Sequence, residues 1–275
     1  MLKTRVITAS FLIASFVTAL LLASNTIWAL LTLVVTLIAV WEWSNLIKLS
    51  KAQTYFYVAL AMLMGLAIYF TSGIAFVSKL STYHDVFVFS MLSVVTLFWV
   101  LLAPIWLITR KKINHQLGLA ILGLLLLLST WVALFELRII SPWLLLSVIA
   151  TVSIADSAAY FAGKRFGRNK LAPEISPGKT WEGVAGGLLA VTLFGYFLCY
   201  YFNYSLWFLV GFWIIVILSI MGDLFESLMK RQAGIKDSSQ LLPGHGGILD
   251  RMDGLIPSLA LSLFYLYLPL FAHIQ

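Results

Sequence analysis

Charge is scarce in this chain. Only 11% of its 275 residues are Asp, Glu, Lys or Arg, against about 25% in soluble domains. Apolar residues make up 61%, and the mean hydropathy is +0.99. That balance excludes a soluble globular domain and implies an all-α polytopic integral membrane protein. Cysteine is scarcer still: Cys199 stands alone, which rules out an internal disulfide framework and a multi-cysteine metal site. Internal repeats are absent, as is low complexity beyond the apolar runs. Acids are few, eleven against eighteen Lys and Arg, for a net charge of +7. In a membrane chain such an excess sets topology, so no nucleic-acid partner is expected.

The apolar runs define nine expected spans, each near the ~20 residues a bilayer requires. They are 6–24, 26–46, 55–73, 86–109, 116–135, 142–163, 183–203, 206–229 and 254–273. Met1-Leu-Lys-Thr-Arg5 ahead of an apolar run has the form of a signal peptide, but the next span follows at once, so a retained anchor is expected. With the N-terminus in the cytoplasm, sixteen of the eighteen Lys and Arg fall on the cytoplasmic side and only Lys79 and Arg138 outside. The positive-inside rule therefore supports this orientation, with an odd number of spans and an extracytoplasmic C-terminus. A cell (inner) membrane location, with the active site facing the cytoplasm, is expected.

The scarce charge is concentrated in residues 222–254. That stretch holds five of the eleven acids, four of the eighteen Lys and Arg, and one of the four His. A helix continuing past Gly222 places Asp223, Glu226, Ser227 and Lys230 on one face, and Leu224, Phe225, Leu228 and Met229 opposite, against lipid or other helices. Arg231 follows, then a polar loop with Lys236 and Asp237, then Pro243-Gly-His-Gly-Gly247, then Asp250, Arg251 and Asp253. Glycines at 246 and 247 let backbone N–H groups approach an anion. Asp223, Asp250 and Asp253 are hard oxygen ligands suited to Mg²⁺, and the cations beside them suit phosphoryl oxygens. Carboxylates, cations and a Gly-rich turn together point to phosphoryl or nucleotidyl transfer.

A second polar region covers residues 153–187. Asp156 lies deep in the sixth span, and an acid there is a functional candidate by default. A basic loop follows, leading to Ile175-Ser-Pro-Gly-Lys-Thr-Trp-Glu-Gly183. Pro177 and Gly178 read as a turn. Ser176, Lys179 and Thr180 can face phosphates; Glu182 can cap the next helix or reach a metal. Gly178-Lys179-Thr180 matches the end of a P-loop, but the earlier glycine is missing, Ile175 standing in its place, and no strand is expected before it. Chemistry thus falls into residues 136–275, with cytoplasmic loops 164–182 and 230–253, while 1–135 carries little. In that first part Glu42, between Trp41 and Trp43, reads as an interfacial residue of an aromatic belt, with lining of the substrate groove as the alternative. His84, His115 and His273 read as isolated interfacial residues.

The charged stretch resembles the signature of the phosphatidate cytidylyltransferase family. The match is Ser227-x-Met229-Lys230-Arg231, four residues, Lys236-Asp237, then Leu242-Pro243-x-His245-Gly246-Gly247-Ile248-x-Asp250-Arg251-Met252-Asp253. The Asp-Ser-x-Ala-Tyr segment from Asp156 and the Ser-Pro-x-Lys-Thr-x-Glu-Gly segment from Ser176 resemble the same family. The resemblance covers roughly residues 150–255. It implies transfer of CMP from CTP to phosphatidic acid, giving CDP-diacylglycerol and pyrophosphate. It also implies Mg²⁺ held by Asp223 and Asp250, with K⁺ as a second cation, and a homodimer. His245 is expected to position or bind rather than to act as a base, and Asp253 to orient Arg251 or the metal's water. A transporter would instead place polar residues near the midplane of several spans in paired halves. A CDP-alcohol phosphotransferase would carry Asp-Gly-x-x-Ala-Arg, which is absent. A CTP-dependent lipid kinase differs in the phosphorus it transfers.

Overall fold

The computed structural model describes residues 14–72, 81–241 and 246–268. Residues 1–5, Lys79, His245 and His273 lie outside the described residues, so the expectations placed on them stand apart from the structure. The architecture is helical: α1 (14–22), α2 (Asn25–Leu46), α3 (Lys51–Thr71), α4 (Ser81–Leu97), α5 (Ala103–Thr109), α6 (Gln116–Ile140), α7 (Pro142–Phe166), α8 (Trp181–Phe202), α9 (Phe208–Ala233), α10 (Leu249–Met252) and α11 (Leu255–Tyr267). Among the described residues, seven helices are long and apolar enough to cross a membrane: α2, α3, the continuous α4–α5 unit, and α6 to α9. They coincide with the second to eighth expected spans. α11 is apolar but only 13 residues long, and the first and ninth expected spans run beyond the described residues.

The helix limits follow from local chemistry. Ser24 caps α2 by accepting from the Ile27 N–H, and Ser50 with Gln53 forms a reciprocal capping box at α3. Ser141 caps α7 ahead of Pro142, whose missing donor costs nothing in the first turn. Pro104 sits where an α-helix needs an N–H. The chain answers with a π-helical turn, Phe98–Leu102, in which the Ala103 N–H reaches back to the Phe98 carbonyl.

Apolar side chains face both ways, as a bilayer permits. Trp28, Trp99, Trp131 and Phe135 are fully buried, while Leu189, Leu193, Phe197 and Tyr200 stand exposed along α8. α7 and α8 approach closely along a small-residue seam, Ala155, Ala159 and Ala162 against Gly183, Gly186 and Gly187. α6, which crosses residue 135, packs against α2, α7 and α11 and so joins the two parts of the chain.

Three local expectations are corrected. Pro177 and Gly178 do not form the turn; they lie within strand β2 (Ser176–Thr180), which pairs antiparallel with β1 (Lys170–Ala172). A two-stranded hairpin has only edges, so a proline costs no ladder bond on its outer side, and the reversal falls at residues 173–175. Gly178-Lys179-Thr180 thus sits inside a strand, not in a phosphate-wrapping loop. His84 is neither isolated nor interfacial. It is 5% exposed, its Nε2 lies 2.9 Å from a Glu136 oxygen and its Nδ1 3.2 Å from Thr71 Oγ1; Tyr267 donates to the other Glu136 oxygen at 2.7 Å. Trp43 does not belong to an interfacial belt: it is 3% exposed and donates its indole N–H to the Leu119 carbonyl.

Candidate active site

α9 carries the central residues, and its packing explains how they are aimed. Leu224, Phe225, Leu228 and Met229 are all buried, so the face opposite the charges meets helices rather than lipid. Phe225 is enclosed by Trp43, Phe98, Trp99 and Trp106, with ring centroids 5.4 to 6.4 Å away. Aromatic contacts of this kind add about 0.5–1.5 kcal/mol each beyond area burial. The π-helical turn before Pro104 carries two of these rings, Phe98 and Trp99. The N-terminal helices therefore set the rotation of α9 about its own axis.

With that rotation fixed, Asp223 turns toward the β1–β2 hairpin. Lys179 Nζ lies 2.7 Å from its Oδ2, and Ser227 donates to its Oδ1 at 3.2 Å. Thr180 caps α8 by accepting from the Gly183 N–H and holds the end of β2. Glu182 accepts from the Asn169 backbone and side chain, closing the hairpin on α8. Asp156 approaches from α7 and accepts from Ser219 of α9 at 3.4 Å. Asp253, in the turn between α10 and α11, completes the group. Its carboxyl is pushed up to about 7, first by burial and then by the charge of Asp223, with Asp156 adding to it and Lys179 opposing. The turn can come this close only because residue 222 is glycine: a Cβ there would lie 2.1 Å from the Asp253 carbonyl oxygen.

One turn further along α9 the arrangement is closed rather than open. Lys230 Nζ stands 2.7 Å from Glu226 Oε2 and 2.5 Å from Asp250 Oδ1. The other Asp250 oxygen accepts from the Gly247 N–H (2.8 Å), the Ser238 N–H (3.0 Å) and the Ser238 hydroxyl (2.9 Å). Burial opposes the charge on Asp250, but Lys230 and these N–H groups hold its carboxyl down at about 2. Gly246, at φ +81°, supplies the left-handed step beside it. Ser176 lies partly buried in β2. Arg231, Lys236, Asp237 and Arg251 are exposed around this rim, with Arg231 Nε 3.5 Å from the Ile175 carbonyl. The structure thus brings Asp156, Lys179, Asp223 and Asp253 into one group, and Glu226, Lys230 and Asp250 into another.

Sequence reasoning missed Glu42. It is fully buried and accepts from Ser238, Ser239, Ile248 and Leu249, so it is not an interfacial residue. The available signal was an acid inside an apolar span, which the same rule had flagged for Asp156.

As for a divalent cation, Asp156, Asp223 and Asp253 present three hard carboxylates beside the ammonium of Lys179, a donor set that suits Mg²⁺. Asp250 has protein donors on both oxygens and would join a metal only by releasing one of them. Among the described residues no three acidic or imidazole groups already converge as a metal shell.

A polytopic helical membrane protein with carboxylates, lysines and a strand hairpin gathered at one end of its bundle has the parts of a membrane transferase acting on anionic substrates. The chain belongs to the cytidylyltransferase family, which it matches over residues 3–271. It is 35% identical to the phosphatidate cytidylyltransferase of Haemophilus influenzae, over 97% of this chain and 99% of that one. It is 37% identical to that of Pseudomonas aeruginosa, over 93% of both chains. To that of Thermotoga maritima it is 33% identical, over 93% of this chain and 92% of that one.

Proposed function

We infer that this protein is a phosphatidate cytidylyltransferase, transferring CMP from CTP to phosphatidic acid to give CDP-diacylglycerol and pyrophosphate. One structural observation carries the reading of the site: Lys179 from the hairpin and Asp223 from α9 meet at 2.7 Å, beside Asp156 and Asp253. A cation-binding carboxylate and a phosphate-binding ammonium are here held against each other until anions arrive.

A phosphate oxygen of the lipid attacks the α-phosphorus of CTP. The new P–O bond forms as the bond to the β-phosphate oxygen breaks, and pyrophosphate leaves with its electron pair. The lipid phosphate is ionised at neutral pH, so no strong general base is required. The obstacle is repulsion between two anions, and the chain's work is neutralisation and alignment. Lys179 moves from Asp223 to a phosphoryl oxygen, and Arg231, Lys236 and Arg251 at the rim share the remaining charge. Mg²⁺ would be held by Asp223 with Asp156 and Asp253 beside it, with Asp250 available once Lys230 or a loop donor lets go; when bound it neutralises triphosphate oxygens. Lys230, between Glu226 and Asp250, keeps the Asp250 segment docked on α9.

The positive-inside bias supports an N-terminus in the cytoplasm, nine spans in all and a site at the cytoplasmic face of the cell membrane, where CTP is found. Membrane lipid is then both surroundings and substrate source, and a homodimer fits the exposed apolar faces. The test is product analysis with purified protein, phosphatidic acid and labelled CTP. Label at the α-phosphate enters lipid and label at the γ-phosphate leaves in pyrophosphate. Lipid labelled from the γ-position overturns the reading.

A further inference from the structure

The N-terminal part of the chain brings a carboxylate to the signature loop, that of Glu42 in α2. Its carboxylate is completely buried. A buried carboxylate without partners costs far more than a folded protein can tolerate. Here both oxygens are filled. Oε1 accepts from the Ser239 hydroxyl at 2.5 Å and the Ile248 N–H at 3.0 Å; Oε2 accepts from the Leu249 N–H at 2.6 Å and shares the single proton of the Ser238 hydroxyl, at 3.2 Å, with Asp250. All four donors come from two short segments, 238–239 and 248–249, at the two ends of the Gly-rich signature.

Among the described residues these partners are hydroxyl and backbone N–H groups, with no Lys or Arg. Such a contact is sensitive to geometry, because each donor must point at the carboxylate. Two further observations tie it to the site. The Ser238 hydroxyl lies within hydrogen-bond distance of both Glu42 Oε2 and Asp250 Oδ2, at 3.2 and 2.9 Å. Gly247, whose N–H donates to Asp250, leaves no space for a side chain: a Cβ there would lie 2.4 Å from Glu42 Oε1 and 2.1 Å from the Ser238 oxygen. The backbone of the signature is thus pressed onto Glu42.

We propose that Glu42 is a positioning residue for cytidylyl transfer, a buried carboxylate that clamps the two ends of the signature loop together and so sets Asp250 and Lys230 for substrate. It touches no substrate itself and acts through Ser238, Gly247 and Asp250. The proposal rests on the cytidylyltransferase reading for its kinetic part, and on the structure alone for the clamp.

Glu42→Gln keeps the size of the side chain but turns one acceptor oxygen into an N–H₂ group facing donors. Ser239→Ala removes a single donor from a partly exposed loop position and preserves folding should Glu42→Gln lose it. Both are purified with wild type in the same detergent. Amide hydrogen exchange is followed at 238–239 and 247–249, and kcat and KM for CTP are measured well below the melting temperature. In Glu42→Gln those amides exchange faster and kcat per folded molecule falls on the order of 100-fold, the scale expected of a misplacement near 1 Å. Ser239→Ala shows the same signature more weakly, and Glu42→Asp, which keeps two acceptor oxygens, recovers part of the loss. A purely structural residue would lower the melting temperature and leave kcat per folded molecule intact, which overturns the proposal. Unchanged exchange at 238–239 and 247–249 overturns it as well. If wild type makes no CDP-lipid, the functional reading fails, while the exchange arm still decides the clamp.

Discussion

Lys230 offers a quantitative test of how the site is held together. Its side chain is 13% exposed and stands between two carboxylates that are less exposed still, Glu226 at 4% and Asp250 at 6%. Lys230→Met keeps most of the apolar stem and removes the charge. Two buried carboxylates are then left facing each other with no cation between them. Breaking a buried pair by removing one partner costs about 3–5 kcal/mol. At roughly 2–4 °C per kcal/mol for a chain of this size, the melting temperature drops by about 6–20 °C. The loss arises from uncompensated charge, so it is repairable: Lys230→Met with Glu226→Gln removes one of the two anions and regains most of the stability. Activity follows a different rule, because Asp250 still lacks its ammonium partner and the double variant stays impaired. The measurement is thermal unfolding in a fixed detergent together with CTP-dependent transfer. A loss below about 1 kcal/mol in Lys230→Met, within the range of an exposed ion pair, would refute the argument. So would a double variant no more stable than the single one.

Asp223→Asn removes the carboxylate that faces Lys179, and CDP-lipid formation falls with no recovery at high Mg²⁺; near-normal activity excludes Asp223 from metal binding. Gly222→Ala forces its new methyl against the Asp253 carbonyl, so α9 and the 253 turn separate and both melting temperature and kcat fall; unchanged values in the two assays would show that the contact relaxes freely. Asp253 has a folded-state value of about 7, raised above that of an ordinary aspartate by burial. The folded protein therefore binds a proton that the unfolded chain releases, and without metal its stability declines as pH rises from about 4 to about 7. Asp253→Asn flattens that decline and raises the melting temperature at pH 8 while lowering activity; a slope identical to wild type sinks the assignment.

The spans were legible because length and apolarity are properties of single segments. The seven spans, α2, α3, the α4–α5 unit and α6 to α9, need no partner to declare themselves: each exceeds what a bilayer demands, and serine or histidine caps mark several starts. The hairpin was not legible. β1 has three residues and β2 five, and β2 contains Pro177 and Gly178, so turn propensity outweighed strand propensity locally. What holds the hairpin is tertiary: Asn169 bound to Glu182, and Thr180 buried as the cap of α8. The π-helical turn was hidden too, although Pro104 marks the place where the hydrogen-bond ladder has to slip.

The charged residues show the same division between local and distant causes. Asp223, Ser227 and Lys230 were placed on one helical face by spacing alone, and the face exists. Which acid meets which cation was not readable, because Lys179 and Asp223 are brought together by a hairpin and a helix 44 positions apart, and Lys230 meets Asp250 across a loop. Glu42 is the extreme case: its donors lie 196 to 207 positions away. Its immediate neighbours, two tryptophans, suggested an interface, and one of them, Trp43, is itself buried beside Phe225. A charged residue in an apolar run costs too much to be incidental. By that argument an acid within these spans needs a partner, and the structure supplies one for five of them: Ser238 and Ser239 for Glu42, His84 and Tyr267 for Glu136, Ser219 for Asp156, Lys179 for Asp223 and Lys230 for Glu226. The first two pairings draw on hydroxyl and imidazole groups far along the chain, which is why they escaped a reading that looks for charges near in sequence.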